Sequence, residues 1–94
     1  MKVEWRPLAR QDLDETLAYV ADDNPDAANR LQDEIERQVE MLAKMPEMGR
    51  PGRRRGTREL VIAGTRYIAA YRLTQNRLEI LRLLHGARHW PSRF

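Results

Sequence analysis

The hydrophobic period of this 94-residue chain changes at its centre, and the change limits the folds open to it. Between positions 28 and 42, apolar residues recur every three or four residues, as on one buried helical face. After position 57 they alternate with polar residues or form short apolar runs, as in strands. The segment between them, PEMGRPGRRRGT (46–57), holds two prolines and three glycines and is predicted to be irregular. The pattern predicts an α+β fold with helices before strands.

The first half of the chain predicts a short strand followed by two helices. Residues 3–5 alternate as in a strand, and a helix is predicted over about 7–22. Asn24 then offers a side-chain cap, Pro25 suits the first position of a second helix, and Pro46 ends that helix. The short connection between the helices predicts an antiparallel hairpin spanning about 7–45.

The second half predicts three strands in an antiparallel meander, at 58–63, 67–73 and 78–84, joined by tight turns. We expect one domain over 1–94: helical hairpin, basic loop 46–57, meander 58–84 and tail 85–94. Its order is β-αα-βββ, with the hairpin packed on a small antiparallel sheet. The predicted core consists of Leu13, Leu17, Leu31, Ile35, Leu42, Leu60, Ile62, Ile68, Leu78, Ile80 and Leu84.

Charge is segregated along the chain. Residues 1–49 hold six basic and twelve acidic residues, a net charge of −6. Residues 50–94 hold eleven basic residues, all arginine, against Glu59 and Glu79, a net charge of +9. Arginine binds planar anions through two parallel hydrogen bonds, so the second half favours an anionic partner.

Several compartments and site types are disfavoured by what the sequence lacks. The chain has no cysteine, which disfavours a disulfide framework and thiolate metal sites. No apolar run is long enough to cross a membrane, and the first residues do not resemble a secretory signal. We therefore expect a cytoplasmic protein that uses no metal or other cofactor.

A series of short stretches occurs in a fixed order over roughly residues 3–90: Asp23-Asn24-Pro25 with Ala27-Ala28, PEMGRP at 46–51, Arg58-Glu59-Leu60, Tyr67-Ile68 with Tyr71-Arg72, and ILRLLHGAR at 80–88. In this order and at this length, they resemble the ParE/RelE superfamily of toxins from bacterial type II toxin–antitoxin modules. The resemblance implies growth inhibition, a role in plasmid stabilisation, and a cognate antitoxin protein that covers the toxin.

The resemblance implies two targets. A ParE-like toxin would inhibit DNA gyrase, and a RelE-like toxin would cleave mRNA in the ribosome without a metal. His85-Gly86-Ala87-Arg88 and the strand before it resemble the ParE/StbE-type group more closely, so gyrase inhibition is the leading hypothesis. RelE-like cleavage, which would make the protein an enzyme, is the alternative. A nucleic-acid-binding module or a degenerate toxin is a further alternative.

RNA cleavage by the 2′-hydroxyl requires a base, an acid and cations that stabilise charge on the phosphate. RelE-like enzymes draw on lysines or a C-terminal tyrosine or histidine for proton transfer, yet this chain has no lysine after position 44 and no tyrosine after position 71. The remaining proton carriers are His85, His89 and Glu59. The alternative hypothesis therefore assigns catalysis to His85, Arg58, Arg82 and Arg88, whereas the leading hypothesis assigns no catalytic residue.

Two binding surfaces are predicted besides. The target-binding or phosphate-binding arginines are Arg53, Arg54, Arg55, Arg58, Arg72, Arg82 and Arg88. An antitoxin segment that covers a basic half and an apolar groove should be acidic and amphipathic. The residues expected to contact it are Leu13, Leu17, Leu31, Ile35, Met41 and Met45.

Overall fold

The computed structural model describes residues 1–94 and contains two helices and five strands. In chain order these are β1 (Lys2–Trp5), α1 (Pro7–Asp23), α2 (Pro25–Met41), β2 (Arg50–Pro51), β3 (Arg58–Val61), β4 (Tyr67–Leu73) and β5 (Arg77–His85). The strands form one sheet in the order β1-β5-β4-β3-β2. The predicted α+β architecture, a helical hairpin on a sheet, is confirmed.

The sheet is larger than predicted and mixed rather than wholly antiparallel. Strands β3, β4 and β5 form the expected antiparallel meander. Strand β1 pairs in parallel with β5, with Val3 opposite Leu78. Two residues of the predicted basic loop form β2, which pairs with β3. Neither pairing has a local signal, because each joins segments that only the tertiary fold brings together.

The helix boundaries follow local capping chemistry. Pro7 and Pro25 are the first residues of their helices, where a missing N–H costs nothing. The Asn24 side-chain oxygen accepts a hydrogen bond of 3.1 Å from the backbone N–H of Ala27, as its position predicts. Helix α2 ends at Met41, a few residues earlier than expected, because the chain turns before Pro46.

The core lies between the helical hairpin and one face of the sheet. A bulge at the β4–β5 pairing reverses the side-chain alternation of β5, because Ala70 pairs with Arg82 but Tyr71 pairs with Ile80. The prediction of Leu84 as a core residue is therefore wrong, and Ile68, its partner in register, also lies outside the main cluster. That cluster consists of Ala9, Leu13, Ile35, Val39, Leu42, Leu60, Ile62, Ala69, Tyr71, Leu78, Ile80 and Leu83. The opposite face of the sheet, which carries Glu59, Ile68 and Glu79, is called the open face below.

Two side chains join the helices to the sheet through polar contacts. Asp12 of α1 accepts hydrogen bonds from Arg82 (2.7 and 2.9 Å) and from the backbone N–H of Leu83 (3.0 Å). Asp12 thus accepts a backbone hydrogen bond from the edge of β5 at a position that β1 does not reach. Gln38 of α2 donates to the carbonyl of Ala63 (2.9 Å) and accepts from its N–H (2.8 Å). Each contact fixes the position of one helix along the sheet.

The Tyr71 hydroxyl joins the centre of the sheet to the segment after α2. It donates to the carbonyl of Pro46 (2.8 Å) and accepts from the N–H of Gly49 (2.9 Å), while the residue itself is fully buried. A Cβ at position 49 would lie 2.6 Å from this hydroxyl oxygen, so the contact requires glycine there. Burial raises the pKa of Tyr71 above its ordinary value, which is consistent with a neutral phenol in both hydrogen bonds.

Replacing Tyr71 with phenylalanine should destabilise the protein by about 1–3 kcal/mol, because the Pro46 carbonyl and the Gly49 N–H lose their partner in a buried setting. Urea unfolding of Tyr71→Phe measures this change. Tyr19→Phe is the matched control, since Tyr19 is 71% exposed. Equal stability of Tyr71→Phe and the parent protein would contradict the structural role of this hydroxyl.

Candidate functional site

The basic loop is held against the sheet by one buried carboxylate. Glu59 of β3 is 3% exposed and accepts hydrogen bonds from the Arg50 side chain (3.0 Å) and the Arg53 backbone N–H (2.8 Å). The Arg53 side chain also lies 3.6 Å from this carboxylate. Glu59, one of the three candidate proton carriers, is thus occupied as an ion-pair partner. Its negative charge holds the loop on the open face.

The C-terminal tail packs on the arginines of this loop. The Arg53 guanidinium lies over the Trp90 ring, 3.5 Å from its centroid, and that of Arg54 lies over Phe94 at 4.3 Å. Arg54 also donates to the carbonyl of Ser92, and the Trp90 indole donates to the carbonyl of His85 (3.2 Å). These cation–π contacts and hydrogen bonds fix the tail beside the sheet.

Arginines also surround a cavity of about 680 Å³ beside the first residues of α1. Arg54 and Arg55 contribute from the loop, and Arg72 contributes from β4. Arg72 also donates a 2.7 Å hydrogen bond to Glu79, and this bond lowers the pKa of Glu79 below its ordinary value. Three of the seven predicted target-binding arginines therefore meet at one cavity, here called the arginine groove.

A second cavity, of about 260 Å³, lies between α1, the end of β5 and the tail. His85, Arg88 and His89 line it. The His85 ring meets the Tyr67 ring edge-on, with centroids 5.7 Å apart, and its Nδ1 accepts from the N–H of Ala87 (3.2 Å). Two of the four catalytic residues of the alternative hypothesis, His85 and Arg88, thus share a cavity.

The other two candidate catalytic residues are occupied in the fold. Arg82 forms the paired hydrogen bonds with Asp12, which raise the pKa of Arg82 further. Arg58 donates to the carbonyl of Gly49 (2.8 Å) and lies on β3, separated from β5 by β4. Strands lie about 4.8 Å apart, so Arg58 begins roughly 10 Å from the strand that carries His85.

The predicted antitoxin contacts divide by burial. Leu13 and Ile35 are fully buried in the core and offer no surface to a partner. Leu17 and Leu31 are partly buried against the core. Met41 and Met45 are 37% and 49% exposed, and Met48 beside them is 39% exposed. The exposed apolar surface at the end of α2 is therefore a methionine surface, formed by Met41, Met45 and Met48.

The structure contains no group of three or more histidine and acidic side chains placed to hold a metal ion. Neither helix has the length and apolar character needed to span a bilayer.

Comparison with known proteins identifies the family. A family model described as the ParE toxin of the type II toxin–antitoxin system, parDE, matches residues 3–90. The chain belongs to the ParE toxin family. The superfamily assignment that the sequence suggested is thereby confirmed, as is the role of a toxin from a type II toxin–antitoxin system.

Two relatives of this ParE-family chain agree with the assignment. The protein named "Putative toxin Y4kP" from Sinorhizobium fredii is 43% identical over 91 residues, covering 97% of this chain and 94% of that protein. A solved chain described as the chromosomal ParDE TA system from P. aeruginosa is 26% identical, with a TM-score of 0.83. The match covers 90% of this chain and 95% of that one. A ParDE system implies an antitoxin as partner.

Sequence reasoning missed three parts of the ParE-family site. It did not predict that Trp90 and Phe94 would stack under arginines, although two aromatic residues in a tail next to an arginine run are a signal for it. It also missed Asp12 as the partner of Arg82 and Arg93 as a residue of the arginine groove. Asp12 gave no signal, because it lies 70 positions from its partner.

The Glu79 ion pair predicts how the stability of this ParE-family toxin depends on pH. Because Arg72 lowers the pKa of Glu79 in the folded state, the pair stabilises the protein above the ordinary carboxyl pKa of 4.5. This stabilisation is lost as pH falls through the lower folded-state value. Glu79→Gln should therefore be less stable than the parent at pH 7, and the difference should shrink below about pH 4.5.

Urea unfolding of both proteins at a series of pH values measures this difference. Glu36→Gln, at an exposed position of α2, serves as the control and should follow the parent curve. A difference between Glu79→Gln and the parent that stays constant down to pH 2 would contradict the role given to the Glu79 charge.

Proposed function

We propose that this ParE-family toxin inhibits DNA gyrase and that a cognate antitoxin neutralises it. The observation that carries the proposal is the occupation of Arg58 and Arg82 by contacts within the fold. RNA cleavage would need such cations free to face a phosphate. A gyrase inhibitor needs only a shaped surface, and exposed arginines of the loop and tail supply one.

A toxin of this kind would inhibit gyrase by trapping the enzyme while its DNA is cut. Such trapping has a thermodynamic requirement. A toxin shifts gyrase toward the state with cut DNA only if it binds that state more tightly than the others. No bond chemistry by the toxin is required. Because gyrase acts on DNA in the bacterial cytoplasm, the proposal also places the toxin there.

Ribosome-dependent mRNA cleavage, the RelE-like alternative, is favoured by the cavity shared by His85 and Arg88. A histidine there would take the proton of a 2′-hydroxyl, and Arg88 would stabilise charge on the phosphate. The alternative therefore depends on the imidazole of His85, whereas the gyrase proposal does not.

A paired assay separates the two functions. Purified toxin is added to gyrase, with supercoiling and cleaved DNA as readouts, and separately to ribosomes carrying mRNA. We expect loss of supercoiling, accumulation of cleaved DNA and intact mRNA. His85→Ala should behave like the parent in both assays, because the proposed surface does not use the imidazole.

Cleavage of mRNA with gyrase unaffected would overturn the gyrase proposal, and loss of that cleavage in His85→Ala would establish the alternative. If a folded sample neither inhibits gyrase nor cleaves mRNA, the proposal is also overturned, and the toxin is degenerate or has a different target.

The antitoxin half of the proposal concerns the methionine surface. Met41 and Met45 are long, flexible apolar side chains that adapt to a partner, and they lie at the end of the acidic half of the chain nearest the basic loop. An acidic amphipathic segment would cover these methionines with its apolar side and reach loop arginines with its carboxylates.

Antitoxin binding should raise the stability of the toxin by mass action, by about 2.7 kcal/mol at a free antitoxin concentration one hundred times the Kd. Thermal melting with and without antitoxin measures this. The double variant Met41→Ala/Met45→Ala should weaken antitoxin binding about tenfold or more, because the apolar contacts of both methionines are lost. Val61→Ala, which alters a similarly exposed apolar residue on β3, is the control. A melting temperature unchanged by saturating antitoxin would contradict neutralisation by direct binding.

A further inference from the structure

The arginine groove concentrates positive charge without an acidic side chain in its lining. Its guanidinium groups come from four separate parts of the chain: Arg6 before α1, Arg54 and Arg55 in the loop, Arg72 on β4, and Arg93 in the tail. Like charges gathered at one cavity repel each other, and a bound anion relieves that repulsion. The groove is therefore suited to an anionic ligand.

The groups facing the groove are only partly neutralised by the protein. Arg72 and Arg6 lie 2.7 and 4.0 Å from the carboxylate of Glu79, and Arg6 also lies 3.4 Å from that of Glu4. None of the ion pairs in the structure includes Arg54, Arg55 or Arg93. The first turn of α1, which adjoins the groove, also carries no acidic residue. Several donors therefore remain for an external anion.

The floor of the groove distinguishes between two kinds of anion. Leu81 is 8% exposed, and one face of the Phe94 ring is covered by Arg54. Five of the ten lining residues are arginines and three are hydrophobic, so the lining offers more to the carboxylates of an amphipathic acidic peptide than to its apolar side chains. A phosphodiester backbone needs only hydrogen-bond donors and positive charge, and arginine supplies both in a planar arrangement that fits phosphate.

We propose that the arginine groove binds the phosphate backbone of the DNA segment held by gyrase. This inference rests on the proposed function and adds a second component to it. A toxin that contacts both gyrase and its DNA binds the DNA-bound enzyme more tightly than free gyrase, which is the differential affinity that trapping requires. The contact is to backbone, so it is independent of DNA sequence.

Direct binding by the isolated toxin tests the groove without gyrase. A fluorescent DNA duplex of about 20 base pairs is titrated by anisotropy between about 50 and 200 mM salt, the range over which phosphate contacts are weakened. The test variant is Arg55→Ala/Arg93→Ala, because neither side chain makes an ion pair or hydrogen bond within the protein. Its thermal melting should match that of the parent.

The control variant removes the same charge elsewhere. Arg30→Ala/Arg66→Ala replaces two exposed arginines, one on α2 and one before β4. Arg66 lies six residues along the chain from Arg72, about 20 Å at the rise of a strand. We expect duplex affinity to fall about tenfold or more in the groove variant and about twofold or less in the control. The slope of log K against log salt should become shallower by about 1.8 in the groove variant alone.

Three results would overturn the assignment of the groove to DNA. They are no binding at the lowest salt, equal losses in the two variants, and tighter binding of a single-stranded RNA or a polyglutamate peptide than of the duplex at the same salt. The gyrase assay separates this inference from the proposed function. Full inhibition by the groove variant would overturn the inference and leave gyrase inhibition in place, whereas duplex binding without inhibition would support the groove and overturn the gyrase proposal.

Discussion

The hydrogen bonds of the buried Tyr71 hydroxyl fix the point where the helical half of the chain meets the sheet. Tyr71 reaches from the middle of β4 to Pro46 and Gly49, at the start of the basic loop. The loop therefore leaves the sheet edge at a defined place, with β2 paired to β3. Without that anchor, the segment would lose both hydrogen bonds that join it to the buried Tyr71 side chain.

The position of the loop then determines which arginines are structural and which are available. Glu59 forms ion pairs with Arg50 and Arg53. The guanidinium groups of Arg53 and Arg54 in turn stack on the tail residues Trp90 and Phe94. Asp12 and Gly49 occupy Arg82 and Arg58 at other edges. What remains is a smaller set: Arg55 on the loop, Arg66 before β4, and Arg88 and Arg93 on the tail. Net charge alone overstates the surface that is free to bind an anion.

This division between structural and available arginines explains why the sequence alone did not decide between gyrase and mRNA as the target. The local pattern identified a chain rich in cations and poor in proton carriers, which fits both a gyrase inhibitor and a weakened ribonuclease. The structure adds that His85 and Arg88 share a cavity while Arg58 lies two strands away from β5. Of the four residues assigned to catalysis, a catalytic hypothesis can therefore use only His85 and Arg88 together, whereas a binding hypothesis can use the exposed arginines of the loop and tail.

Much of the fold follows from local chemistry that can be recognised in the sequence. Helix starts followed from Pro7, Asn24 and Pro25, because capping depends on residues within one turn. The meander followed from the alternation of apolar residues, and the order of elements with its short motifs was sufficient to suggest the superfamily. The sequence also shows the net charges of −6 and +9 on the two halves of the chain.

Only the tertiary structure decided the features that join distant segments. The parallel pairing of β1 with β5, the bulge that moves Leu84 out of the core, and the bond between Asp12 and Arg82 all depend on contacts across many residues. The arginine groove is of this kind, because its side chains come from the start of α1, the loop, β4 and the tail. Periodicity and composition record the neighbours of each residue along the chain, whereas ion pairs and cavities depend on distances in space that only the packing of the helices on the sheet sets.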